Sequence, residues 1–121
     1  MTWDNTVARP LEGESMVMQG LVLRLKPGAL EEYTHHHDQI PTHWPELVAA
    51  LRESGVRKIR TFVAEPYLYL YAEVEDEGAF PRLWNTEAHK EWAKVMDPLI
   101  ELDEEQKPDA RFIPRIFTFD A

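Results

Sequence analysis

Residues 17–25 read Val-Met-Gln-Gly-Leu-Val-Leu-Arg-Leu, apolar for most of their length and alternating at the end, which predicts a strand. Lys26-Pro27-Gly28 breaks it. From about Ala29 the period lengthens. Leu30, Tyr33 and His37 fall at helical spacing, with Glu31 and Glu32 in a first turn where the helix dipole favours carboxylates. Pro41 and Pro45 interrupt this helix. Pro45 suits the first turn of a second one, because the N–H that proline lacks would have no intrahelical acceptor there. Leu47, Val48 and Leu51 carry its apolar face, and Gly55 is a plausible stop.

Residues 58–63 predict a second strand, and Glu65-Pro66 a turn. Residues 67–74, Tyr-Leu-Tyr-Leu-Tyr-Ala-Glu-Val, predict a third strand built from strong β-formers. So short a break implies an antiparallel hairpin. Gly78 opens another helical stretch, with Phe80, Leu83 and Trp84 on one face and then Trp92, Val95 and Met96 on the next. Residues 99–109 are acidic, follow Pro98, contain Pro108 and read as an excursion loop. Residues 111–119 close the chain as a strand.

The order β-α-β-β-α-β is the ferredoxin-like arrangement, an α+β fold with helices on one face of a four-stranded antiparallel sheet. The other face is too apolar for water, and a second subunit packed sheet to sheet is one way to cover it. Residues 1–15 are polar, contain Pro10 and Gly13, and read as a flexible arm. That leaves 16–121 as a single domain.

Charge narrows the choice of partner. Thirteen Lys and Arg against 22 Asp and Glu give a net charge of −9. So acidic a chain is a poor partner for a phosphate backbone, which is bound by Lys and Arg, and for an anionic membrane. A neutral small molecule fits better. With no cysteine there is no disulfide, thiolate metal site or Cys nucleophile, as suits a cytoplasmic protein. No apolar run approaches the roughly 20 residues of a membrane span. Residues 1–19 lack the charged-then-apolar layout of a signal peptide.

The densest chemistry is Glu31-Glu32-Tyr33-Thr34-His35-His36-His37-Asp38, then His43-Trp44-Pro45-Glu46-Leu47. Tyr33 and His37 share a helix face, pairing a phenol with the one side chain that titrates near neutrality unaided. A relay moving a proton between a sugar's ring oxygen and its anomeric hydroxyl needs such a group. A histidine held by a local hydrogen bond is the plain alternative. Successive helical residues diverge by about 100°, so His35, His36 and His37 cannot share one metal ion, and no metal site is expected. Trp44, Trp84 and Trp92 suit a core, or a wall against the apolar face of a pyranose. Tyr67, Tyr69 and Tyr71 share one sheet face and suit an interface.

Residues 25–33 (Leu-Lys-Pro-Gly-Ala-Leu-Glu-Glu-Tyr), His37-Asp38 and Trp44-Pro45-Glu46-Leu47 together resemble the signature of the L-rhamnose mutarotase family. There a strand ends in Pro, a Glu-Tyr helix start follows, and a His one turn after the Tyr precedes Trp-Pro-Glu-Leu. Residues 80–96, with Asn85-Thr86-Glu87, Trp92 and Met96, are similar to the family's second helix. The resemblance spans about residues 18–120. It implies a dimeric α/β barrel without metal or organic cofactor, an isomerase that interconverts the anomers of L-rhamnose or a related hexose. His37 would be the proton carrier, Tyr33 a sugar contact, and Trp92 the first of two consecutive substrate-contacting tryptophans. Ala93 occupies the second of those positions, and Ile59 stands where the family has a substrate-contacting Tyr. The interval from His37 to Trp44 is about three residues longer than usual, with His43 inside it. Two rival readings remain: a ferredoxin-like monooxygenase or haem enzyme, and a sugar-binding module without turnover.

Overall fold

The structure, a computed structural model, describes residues 16–121; the arm expected over 1–15 lies outside the described residues. Four strands, β1 (Val17–Arg24), β2 (Val56–Ala64), β3 (Tyr67–Val74) and β4 (Ala110–Ile113), form one antiparallel sheet in the order β2-β3-β1-β4. Helices α1 (Leu30–Asp38), α2 (Ile40–His43) and α3 (Pro45–Ser54) connect β1 to β2. Helices α4 (Ala79–Trp84) and α5 (Glu87–Met96) lie between β3 and β4. The expected β-α-β-β-α-β order is present.

Alternation in β3 sets the two faces. Leu68, Leu70, Ala72 and Val74 point toward the helices, and register places Leu23, Leu21, Val63, Thr61 and Ile59 beside them. Two apolar clusters fill this side. One joins Leu25, Tyr33, Leu47, Leu68, Trp92, Met96, Leu99 and Ile100. The other joins Leu21, Ala50, Val56, Ala72, Val74, Phe80 and Leu83. Leu51 and Leu70 touch both. Tyr67, Tyr69 and Tyr71 point to the opposite, outer face.

Local chemistry explains the element ends. Pro45 opens α3, and Gly55 caps it at φ +99, a left-handed conformation that side chains resist. The chain therefore turns straight into β2, which starts earlier than the 58–63 expected. The second helical stretch is two helices. Thr86 is extended, and its hydroxyl accepts the His89 N–H at 3.1 Å to cap α5.

Two expectations are corrected. Residues 99–109 are not a free excursion: Leu99 and Ile100 are core, and Leu25 bridges to Ile100 as Leu102 does to Pro108. The closing strand is also shorter than 111–119. β4 ends at Ile113, because Pro114 brings no N–H to the ladder. Residues 114–121 pair with nothing among the described residues. No described helix is long and apolar enough to cross a membrane.

Candidate active site

Helix α1 sets the first two groups. Tyr33 sits on its buried face and anchors it in the core, and His37 follows one turn later on the same side. The His37 ring stacks on the Tyr33 ring at 4.1 Å between centroids and 24° between planes. Its Nδ1 lies 2.9 Å from the Tyr33 backbone carbonyl. A carbonyl only accepts, so Nδ1 carries the hydrogen, and in the neutral ring Nε2 holds the lone pair.

The tryptophans come from two other elements. α2 is a single turn containing Pro41, and Trp44 occupies the corner between it and α3. Trp92 projects inward from α5, whose start Thr86 fixes. Trp92 meets the His37 ring edge-on at 5.0 Å and Trp44 edge-on at 4.9 Å. The structure thus brings together Tyr33, His37, Trp44 and Trp92. Trp92 is buried, His37 and Trp44 are half-buried, and Trp84 is exposed against Phe80 and Phe112.

The surroundings fix the protonation states. Burial pushes the His37 pKa below 6.5, with the Tyr33 carbonyl and the Asp38 charge acting weakly the other way. The resting ring is therefore neutral at neutral pH. Burial pushes the Tyr33 phenol up to about 12, so it stays an O–H donor.

Other candidates lie apart from this group. Ile59 packs against the second apolar cluster, and Ala93 is half-buried on α5 beside Trp92. His35 is exposed, and His36 sits 3.4 Å from Glu32. His43 is exposed, with Nδ1 2.9 Å from the Thr42 hydroxyl. No three His, Asp or Glu converge to hold a metal among the described residues. A broad cleft of about 890 Å³ opens on the far side of α1, between Glu31, His35, Asp38 and Glu65. Neither Tyr33 nor His37 lines it, so it is not where the imidazole could act.

Sequence reasoning missed two residues on the helix-covered face. Thr61 is one step along β2 from Ile59 and stays exposed there, next to Leu70, which packs on the ring cluster. Gln19, level with Ala72, has a buried side-chain oxygen with no partner among the described residues. Period-two counting from Ile59 finds Thr61. Nothing in the sequence flags Gln19.

Comparison with known proteins adds to this geometry. A family model described as L-rhamnose mutarotase matches residues 19–119. An L-rhamnose mutarotase of Lactiplantibacillus plantarum is 31% identical over 107 residues, which are 87% of this chain and 100% of that protein. The crystal structure of an L-rhamnose mutarotase from Formosa agariphila matches with a TM-score of 0.69 at 23% identity, over 86% of this chain and 99% of that one. An antibiotic biosynthesis monooxygenase matches with a TM-score of 0.53 at 14% identity, over 83% and 99%. At such identities the two structures show a shared fold and nothing of function.

Proposed function

The chain belongs to the L-rhamnose mutarotase family, and we propose that it interconverts the anomers of L-rhamnose or a related hexose with His37 as the proton carrier. It is a sugar mutarotase, hence a carbohydrate isomerase. The observation that carries the residue assignment is the imidazole locked through Nδ1, neutral, and walled by Tyr33 and Trp92.

The chemistry follows from that state. His37 Nε2 takes the proton from the anomeric hydroxyl. The oxygen forms a carbonyl with the anomeric carbon, whose bond to the ring oxygen breaks. The protonated imidazole returns its proton to the ring oxygen, which becomes a hydroxyl. Rotation about the bond between the first two carbons and the reverse sequence close the ring on the other face. Both oxygens sit on one carbon, so a single nitrogen can serve them in turn. Proton transfer of this kind is worth roughly 10²–10⁴-fold, enough for a reaction that already proceeds in water.

Tyr33 would donate its phenol to a sugar oxygen, and the indoles of Trp44 and Trp92 would pack on the apolar face of the ring. Ile59 offers no hydroxyl and Ala93 no aromatic wall, so the site is roomier and less polar there. Thr61 supplies a hydroxyl on the same sheet face and would read the sugar in place of the missing phenol. We place the protein in the cytoplasm as a homodimer, joined through the outer sheet faces that carry Tyr67, Tyr69 and Phe62.

Saturation-difference NMR on freshly dissolved α-L-rhamnose and other hexoses tests the reading. Wild type accelerates exchange between anomers for at least one sugar, and His37→Ala brings the rate back to that of buffer. Binding without acceleration would leave a sugar-binding module and remove the enzyme. Full activity in His37→Ala would remove the residue assignment and leave the enzyme.

A further inference from the structure

One flank of α5 carries polar side chains left unpartnered among the described residues. On one side of Trp92 lie Ala88 and Val95, and both are engaged: Ala88 packs on the second apolar cluster and Val95 on the first. On the other side lie His89, Ala93 and Asp97, spaced four apart and so in one stripe along the helix. Ala93 is half-buried and packs on neither cluster. His89 is half-buried too. Its backbone N–H goes to Thr86, but its ring has no hydrogen bond, ion pair or ring contact among the described residues, and the Asp97 carboxyl has no hydrogen-bond or ion-pair partner there either. Burial nevertheless lowers the His89 pKa and raises that of Asp97, and each feels the other's charge.

We infer that this flank receives the exocyclic carbon of the sugar, and that the substrate carries a hydroxyl there: a hexose with a free 6-hydroxyl rather than a 6-deoxy sugar. The inference rests on the mutarotase site proposed above and names which sugars it takes.

The position follows from the reaction. His37 has to reach the anomeric hydroxyl and the ring oxygen. The carbon on the far side of that ring oxygen bears the exocyclic group, so this group always lies beside the reacting atoms and projects past the edge of the ring. Trp92 meets the His37 ring at 5.0 Å and walls the same sugar. A substituent passing Trp92 finds packed side chains toward Val95 and only the Ala93 methyl on the other flank. Helical side chains lean toward the N-terminus, so Asp97 leans over the turn that holds Ala93, and the less exposed His89 closes the inner end. The chemistry follows from those two groups. A hydroxyl donates to a carboxylate oxygen and accepts from an imidazole N–H. A methyl would press apolar surface on both and satisfy neither, and partly desolvated polar groups left unpaired are what discriminates between such sugars. An acidic sugar fits less well, because its carboxylate would face the Asp97 carboxyl.

Anomer exchange measured by saturation-difference NMR on two matched pairs tests this: L-mannose with L-rhamnose, its 6-deoxy form, and L-galactose with L-fucose, its 6-deoxy form. The members of each pair differ by one oxygen. For a pair it accepts, wild type is expected to show kcat/KM at least about ten-fold higher on the hydroxylated member. Asp97→Ala and His89→Leu should each lower that value by about five-fold or more and hold the 6-deoxy member within about two-fold. Ala93→Trp fills the gap and should reverse the order of the pair. The wild-type comparison needs no variant, so a variant that folds poorly leaves the test intact. A 6-deoxy sugar turned over as fast as its partner, or faster, overturns the inference and leaves the mutarotase. A preference for the hydroxylated member that survives both Asp97→Ala and His89→Leu overturns the assigned flank. Exchange at the buffer rate for every sugar overturns the function proposed above, and the inference falls with it.

Discussion

The Tyr33 backbone carbonyl decides which nitrogen of His37 is free to react. It takes the Nδ1 hydrogen, and burial keeps the ring neutral, so Nε2 is a resting base. In the proposed mechanism catalysis is carried by the unprotonated ring, whose pKa is held below 6.5. The expected profile of kcat/KM is level from neutrality upward and falls in acid, with its midpoint under that value. Polarimetry corrected for buffer catalysis measures it, and a midpoint above it contradicts a desolvated base. Tyr33→Phe keeps the stack on His37 and deletes only the hydroxyl. A hydrogen bond lost from a bound sugar costs about 1 kcal/mol, so roughly a five-fold weaker affinity is expected, with Tm little changed. Isothermal titration should show it, and unchanged affinity would remove Tyr33 from the contacts. Thr61→Val tests the hydroxyl on β2 in the same way. It should weaken binding by a similar factor without harming stability, since Thr61 is exposed.

Elements are where the sequence is most and least readable. Pro27-Gly28, Pro45 and Gly55 each dictate their own backbone, so the breaks and helix starts they imply are found where expected, whereas the division of the second helical stretch at Thr86 is not read from the sequence. Tyr33 and His37 are legible as a pair because one helix carries both. The meeting of Trp44 with Trp92 joins α3's entrance to α5 across the core, and no local period encodes it. Leu99 and Ile100 sit in an acidic stretch after a proline, and what buries them is a bridge to distant Leu25. For residues 114–119, period two predicts more strand, but Pro114 ends the ladder at Ile113. Thr86 ties the second helical region together: its hydroxyl caps α5 and donates to the Leu83 carbonyl at 2.7 Å. Thr86→Ala should cost about 1 kcal/mol, a fall in Tm of about 5 °C for a domain near this size. Turnover at saturating sugar should survive, because Trp92 is still packed between His37 and Trp44. Calorimetry beside an exchange assay separates the two effects. A variant with unchanged Tm would show that the cap contributes nothing.

Across the whole molecule, the buried imidazoles link stability to pH. Burial lowers the pKa of both His37 and His89 below 6.5, with Asp97 partly opposing the shift at His89. Unfolded, both titrate near that ordinary value. Between the folded and unfolded pKa the unfolded chain therefore holds more protons, and stability falls as the pH drops. The loss begins as acidification passes about 6.5 and is complete once the pH lies below the folded values. Asp97 has the opposite sign, because burial raises its pKa above 3.8 and acidification through that window favours the fold. Asp97 is present in wild type and variants alike, so it does not set the difference between their slopes. A second opposing effect is general: uptake of protons relieves the repulsion of a chain at net charge −9. That relief is common to wild type and variants, so the comparison of slopes isolates the buried pair. At fixed protein concentration, which any self-association requires, wild-type Tm should drop more steeply from about pH 7 to about pH 5.5 than that of His37→Gln/His89→Gln. Each single variant should recover part of the difference, since each removes one group that must charge on unfolding. Equal slopes in all four proteins would mean that neither ring is kept from its proton by the fold, and the neutral base assigned to His37 would lose its physical cause.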